Sequence, residues 1–144
     1  MHRLVYLSQL TRRLSAQEAR SMIDLSRRNN ARDAVTGVLL LQGRCIFQVL
    51  EGTEEAVMRR FHKIREDTRH THLRIVQSDT VGGRIFDGWS MGVLMPQHMP
   101  TIERNCLFSL FELFPATGQP RGDEAQVLRL LRTLFSGFEL EMAA

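Results

Sequence analysis

The chain is poor in several residue types, and each scarcity narrows what it can be. It has two cysteines, one tyrosine, one tryptophan and four prolines in 144 residues. Cys45 and Cys106 lack metal-ligand spacing, so a reducing, cytoplasmic setting is expected. No apolar stretch is long enough to span a membrane, and the N-terminal run is too short, with no small-residue cleavage site, for a signal peptide. His2, His62, His70, His72 and His98 form no metal-ligand pair with carboxylate company, so no metal site is expected. No serine sits in a nucleophile elbow. Gly82-Gly83 lacks the GKS or GKT ending of a phosphate loop and reads as a turn. Charge of one sign is also scarce, with a net charge of only +3. Acidic residues accompany Arg27-Arg28 and Arg59-Arg60, so these pairs read as solvated helix faces. With one tyrosine and one tryptophan for base stacking, nucleic acid is not an expected partner.

What remains is an ordinary globular composition, 43% hydrophobic and 24% charged, enough for one domain or a small domain plus an extension. Arg3 to Ser8 alternates as a strand, with Leu4, Tyr6 and Ser8 on one side. Ser15 and Glu18 form a capping-box signature, opening a helix that carries Ala19, Met22, Ile23 and Ser26 on one face and ends near Asn30. Val38 to Leu41 and Cys45 to Leu50 form a hairpin about Gly43. Thr53 caps a second helix with Val57, Met58, Phe61 and Ile64 as its apolar stripe, and Arg69 and His70 are expected near its C-terminus. Leu73 to Ser78 and Trp89 to Leu94 read as a fourth and a fifth strand. The order β-α-β-β-α-β-β predicts an α+β, ferredoxin-like sandwich with one extra strand.

Two helices cover only one sheet face, whereas Val5, Leu7, Phe47 and Val49 make the other apolar as well. The helix-spaced sets Leu107, Leu110, Phe111, Phe114 and Leu128, Leu131, Leu134, Phe135, Phe138, separated by the Pro115–Gly122 loop, are expected to pack there. Residues 1–98 are then a ligand-binding domain, and 99–144 a helical extension of the same compact unit. A dimerisation coiled coil fits less well, because no heptad continues far enough.

Polar groups on apolar strands are costly to bury unless they hydrogen-bond. Tyr6, Ser8 and Gln48 share the helix-side parity, and Tyr6 and Gln48 should stand side by side if the first and third strands neighbour each other. A phenol and a carboxamide make a natural hydrogen-bonded pair. The pair alone could be a satisfied core contact; the further polar residues around the same cleft favour a ligand pocket. Asn29 and Asn30 close the first helix, as a C-cap or as donors and acceptors for a heterocycle. Lys63 and Asp67, one turn apart on the second helix, could equally form a surface ion pair.

The motifs LVYLS, SRRNNA, GVLLLQGRCIFQVLEG, IREDTRH and FDGWSM, in this order from Arg3 to Val93, resemble the BLUF domain, a blue-light sensor that binds FAD noncovalently. The resemblance implies FAD as cofactor, with FMN or riboflavin possible. It implies that Asn30 hydrogen-bonds the pyrimidine side of the flavin and that Asn29 lies against the ring. Lys63 and Asp67 match contacts near the ribityl chain and phosphate end. Met22 and Ile64 would sandwich the ring, though they are equally good core residues. In such a sensor, light drives an electron and then a proton from Tyr6, with Gln48 as relay. Gln48 then rotates or tautomerises, which leaves the oxidised flavin slightly red-shifted. Trp89 and Met91 near Gln48 would be the first link onward. Cys45 lacks the flanking sequence of the LOV photoreceptors, so a cysteinyl-flavin adduct is not expected. The chain is thus expected to be a homo-oligomeric sensor, not an enzyme, that signals to a separate partner protein. Two other readings stay open: a regulatory module that binds a small molecule without photochemistry, and a flavin-dependent redox enzyme, although the Rossmann glycine fingerprint is missing.

Overall fold

The computed structural model describes residues 1–94, 99–114 and 123–143, with the side chains of residue 94 and of residues 138–143 outside that description. The Pro115–Gly122 loop, His98 and the side chain of Phe138 therefore lie outside the described residues. The elements are β1 (His2–Leu10), α1 (Ala16–Arg32), β2 (Thr36–Gln42), β3 (Cys45–Gly52), α2 (Glu54–Glu66), β4 (His70–Thr80), β5 (Gly92–Leu94), α3 (Thr101–Leu113) and α4 (Glu124–Ala143). By their contacts they fall into two compact units, Met1–Leu94 and Met95–Ala144.

In the first unit the strands form one sheet in the order β4-β1-β3-β2-β5. Both crossovers of the split βαβ pattern are present, and β5 adds in parallel to the outside of β2. The expected ferredoxin-like α+β fold is thus realised. The β2–β3 hairpin turns at Gly43-Arg44, where Gly43 takes φ +60°, a conformation that favours glycine. Close approach fixes Gly37 instead: a Cβ there would lie 1.9 Å from the Val49 carbonyl oxygen.

Local signals place the helix starts. Ser15 Oγ accepts the Glu18 N–H at 3.1 Å while Glu18 Oε1 accepts the Ser15 N–H at 3.1 Å. Thr53 Oγ1 accepts the Ala56 N–H at 3.2 Å. These bonds satisfy N–H groups that have no partner within the helix. The helix-side core joins Leu4, Tyr6, Ile46 and Leu50 of the sheet to Ala56, Val57 and Phe61 of α2, with Met22 and Ile23 of α1 packed against it. Val5, Leu7, Phe47 and Val49, on the opposite parity, are buried as well.

Beyond extensions of one or two residues elsewhere, three boundaries differ from the sequence reading. Long antiparallel pairing with β1 carries β4 from His70 to Thr80, beyond the apolar stretch at Leu73–Ser78. Helix α2 ends at Glu66 with Asp67 as its C-cap, so Arg69 lies in the following turn and His70 opens β4. The fifth strand is only Gly92–Leu94. Trp89, Ser90 and Met91 precede it, because the carbonyls of this segment bond to α1 side chains and to the start of β2.

In the second unit α3 and α4 pack together. Leu107 and Leu110 of α3 and Val127, Leu131, Leu134 and Phe135 of α4 are buried, while Ile102 and Phe108 are exposed. A Cβ on Gly137 would meet the Glu103 side chain at 2.3 Å, so the two helices approach closely at that end. Among the described residues no helix is long and apolar enough to cross a membrane.

Candidate functional site

Tyr6 and Gln48 are register partners on the adjacent strands β1 and β3. Equal parity puts both side chains on the helix side of the sheet. The Tyr6 hydroxyl donates to Gln48 Oε1 in a buried hydrogen bond. At its other end Gln48 Nε2 donates to Met91 Sδ at 3.5 Å. The amide is therefore held at its acceptor by a phenol and at its donor by a thioether, a weak acceptor. The Tyr6 ring packs edge-on against Phe61 of α2, with centroids 5.6 Å apart.

Burial first, and then the charge of Asp67, pushes the Tyr6 phenol far above its ordinary pKa. Both causes act on the anion: the low-dielectric core disfavours it, and the carboxylate repels it. Tyr6 therefore holds its proton throughout the ordinary pH range.

Above this pair opens a cleft of about 530 Å³, counting the space open to solvent at its mouth. Met22, Ile23 and Ser26 of α1 form one wall and Ile64 of α2 contributes to the other, with Tyr6, Leu39, Ile46, Gln48 and Met91 beneath and Asp67, Arg69 and His70 also lining it. Asp67 pairs with Arg69 Nε at 2.9 and 3.0 Å. That hydrogen bond, more than any other influence, holds the Asp67 carboxyl below its usual range. His70 Nε2 lies 2.6 Å from the Ile64 carbonyl. A carbonyl only accepts, so Nε2 carries a proton, and in the neutral ring Nδ1 accepts from the Ser8 hydroxyl at 3.2 Å.

The structure thus brings Tyr6, Gln48, Met22, Ile64, Asp67 and Met91 into one cleft. Ser8 is buried but does not line it; its hydroxyl faces His70. Asn30 is fully buried and does not line the cleft, its Nδ2 donating to the Ser90 carbonyl at 2.7 Å. Its Oδ1 has no hydrogen-bond partner among the described residues. Asn29 is half-buried, and its backbone carbonyl accepts the Asp33 N–H. Lys63 is exposed and outside the lining; the partner of Asp67 is Arg69. Trp89 lies outside the cleft, its ring tilted against Phe86 at 6.3 Å. Met91, at 3% exposure, is the one of the two that reaches Gln48.

The sequence reading did not assign Ser26, Arg69 or His70 to the cleft. Ser26 carried a signal, as a polar residue in the apolar stripe with Met22 and Ile23. Arg69 and His70 carried none once they were attached to the end of α2. Among the described residues no cluster of histidine, cysteine, aspartate or glutamate could hold a metal ion.

A family model described as "BLUF: Sensors of blue-light using FAD" matches residues 1–92. The photoactivated adenylate cyclase subunit beta of Euglena gracilis is 33% identical over 89 residues, 61% of this chain and 10% of that protein. The chain thus spans about a tenth of the length of this and two other curated relatives it matches. Among solved structures, a bacterial light-regulated adenylyl cyclase aligns with a TM-score of 0.67 at 30% identity, over 91% of this chain and 36% of that one. BlsA in its ground state aligns with a TM-score of 0.71 at 25% identity, over 93% of this chain and 87% of that one.

Proposed function

The chain belongs to the BLUF family, the sensors of blue-light using FAD, and we propose that it senses light through the relay Tyr6–Gln48–Met91. One observation carries this reading: the buried Tyr6 hydroxyl donates to Gln48 Oε1 while the other end of the same amide rests on Met91. The cleft suits a flat heterocycle. Its walls at Met22, Ile23 and Ile64 are apolar and its floor offers one switchable amide; Asn30, whose buried Oδ1 has no partner among the described residues, would need to reach the cleft to accept from a ring imide N–H. Asp67 and Arg69 of the lining would meet a polar tail of the cofactor, and Lys63 and Asn29 would serve that tail and the ring edge.

Bound FAD supplies the absorption of blue light and the oxidising power that follows it. Tyr6 would give up an electron, and because the resulting radical cation is strongly acidic, its phenolic proton would pass to the amide it already faces, leaving a neutral tyrosyl radical. Gln48 takes that proton at Oε1 and rotates or tautomerises. When the electron returned to Tyr6, a proton would return from whichever group of Gln48 then faces the phenol, so that tyrosine is restored while the side chain stays rotated or tautomeric. Donor and acceptor have then swapped toward both the cofactor and Met91, a two-state element of the kind a switch requires. The output passes from the Met91 segment to a separate partner protein in the cytoplasm.

The protein should purify yellow, release FAD, FMN or riboflavin on denaturation, and shift reversibly to the red under blue light. Gln48→Leu should keep flavin and lose the shift, since the volume remains and the amide is gone. A colourless protein that takes up no added flavin would refute the whole reading, and a normal shift in Gln48→Leu would refute the switch. A non-photochemical binding module or a flavin redox enzyme predicts no reversible shift, and the enzyme predicts turnover with an added electron donor.

A further inference from the structure

Three consecutive carbonyls ahead of β5 are each held by a donor from another element. The Gly37 N–H donates to Trp89 O at 2.9 Å, Asn30 Nδ2 to Ser90 O at 2.7 Å, and Arg27 Nε to Met91 O at 2.9 Å. A three-residue segment is thereby tied to β2 on one side and to α1 on the other. The tethered residues include the one that touches the switch: Met91 accepts the Gln48 amide N–H. The same backbone keeps Trp89 out of the cleft, its ring lying over Gly92 so closely that a Cβ there would come within 1.8 Å of Cε3.

Of the three donors, one is a main-chain amide and one is the asparagine already given to the cofactor. The third, Arg27, is an exposed residue that turns its Nε–H onto a partly buried carbonyl. Nothing in helix packing requires that, and an exposed arginine would ordinarily keep its guanidinium in water. We propose that Arg27 is a positioning residue for the switch: it pins the Met91 backbone against Gln48 and so slows the return of the amide to its dark orientation. The proposal rests on the switch reading above. Turning the Gln48 amide breaks its N–H···S contact inside a packed site, and Met91 must give way for the carboxamide to pass. Met91 gives way most easily if its backbone moves, and the Arg27 bond opposes that movement. Without this bond the barrier falls in both directions.

The test compares Arg27→Ala, Arg27→Met and Arg27→Lys with Arg28→Ala, all loaded with flavin, by light-minus-dark spectra, dark recovery and hydrogen exchange in the dark. Arg27→Ala and Arg27→Met should keep flavin and the red shift but recover about threefold to tenfold faster, the range that one net hydrogen bond spans. Arg27→Lys, which restores a charged donor, should return to within about twofold of the parent rate. Arg28→Ala should behave as the parent. In the dark, the amides of Ser90–Gly92 should exchange faster in Arg27→Ala and Arg27→Met. Should Arg27→Ala lose flavin, Arg27→Met keeps the aliphatic stem and decides the matter. Recovery that is unchanged or slower in Arg27→Met overturns the proposal. If the parent protein shows no red shift, the switch reading fails by itself. The exchange measurement then still decides the tether, and unchanged exchange in both variants overturns it.

Discussion

Tyr6 shows how burial sets the chemistry of a single residue. Its phenol is raised by desolvation first and by the Asp67 charge second; an isolated proton loss is therefore closed to it, and loss coupled to electron loss is what remains. Tyr6→Phe should keep the fold and the yellow colour, because ring volume and the edge contact with Phe61 survive. It should also abolish the long-lived red-shifted state, as no other tyrosine exists to replace it. A red-shifted state formed in good yield by this variant would exclude tyrosine as the donor. The same shift has a consequence for stability. The folded pKa lies above the ordinary value of 10.0, so the neutral phenol's contribution is complete below pH 10 and is lost as pH rises toward the folded value. An alkaline titration should show the tyrosinate absorbance appearing together with loss of the folded far-ultraviolet signal; tyrosinate in a fully folded protein would contradict this.

At the scale of elements, two glycines of the hairpin constrain the sheet for different reasons. A Cβ on Gly37 would collide with the Val49 carbonyl at 1.9 Å, and backbone cannot yield as a side chain can. Gly37→Ala should cost about 4 kcal/mol or more, among the larger single-residue effects. Gly43 has open space around its Cβ position but takes φ +60°, so Gly43→Ala should cost only about 1 kcal/mol. Urea unfolding of both variants checks the order, and equal costs would show that β2 and β3 can separate at Gly37. The loop between β4 and β5 has its own anchor in Glu51. This fully buried carboxylate accepts the N–H groups of Ile85 and Phe86 at 3.0 and 2.9 Å and pairs with Arg3 at 2.8 Å. The loop that leads to Trp89 and Met91 is thereby fastened to β3, the strand that carries Gln48.

For the molecule as a whole, a cofactor that binds only the folded state stabilises it by mass action. Free FAD at about a hundred times its Kd should add about 2.7 kcal/mol. For a chain of this size that amounts to a rise in Tm of roughly 5–10 °C. A thermal melt with and without added flavin measures it, and Gln48→Leu should retain most of the rise because it keeps the apolar walls. An unchanged Tm at saturating flavin would mean that the cleft does not take the cofactor.

Local periodicity settled a large part of this before any coordinates. Alternation put Tyr6, Ser8, Ile46 and Gln48 on one face, because side-chain direction in a strand depends only on parity. The Ser15–Glu18 and Thr53 caps were readable because their bonds close within one helical turn. The strand order followed from the β-α-β-β-α-β-β pattern, and with it the Tyr6–Gln48 pairing. What local sequence could not hold is partner choice between groups distant in the chain. Helical spacing allowed Asp67 a surface ion pair with Lys63, but the helix ends at Glu66 and Asp67 turns to Arg69. It left Trp89 and Met91 equivalent by parity, and the backbone ahead of β5, tethered by Arg27, Asn30 and Gly37, put Met91 on the amide and Trp89 over Gly92. It set Ser8 on the cleft side by parity, and only the meeting of β1 with β4 turned its hydroxyl to His70. Parity and capping are properties of a few consecutive residues. A hydrogen-bond partner is fixed only when separate elements meet, and that meeting is made by the packed sheet and helices.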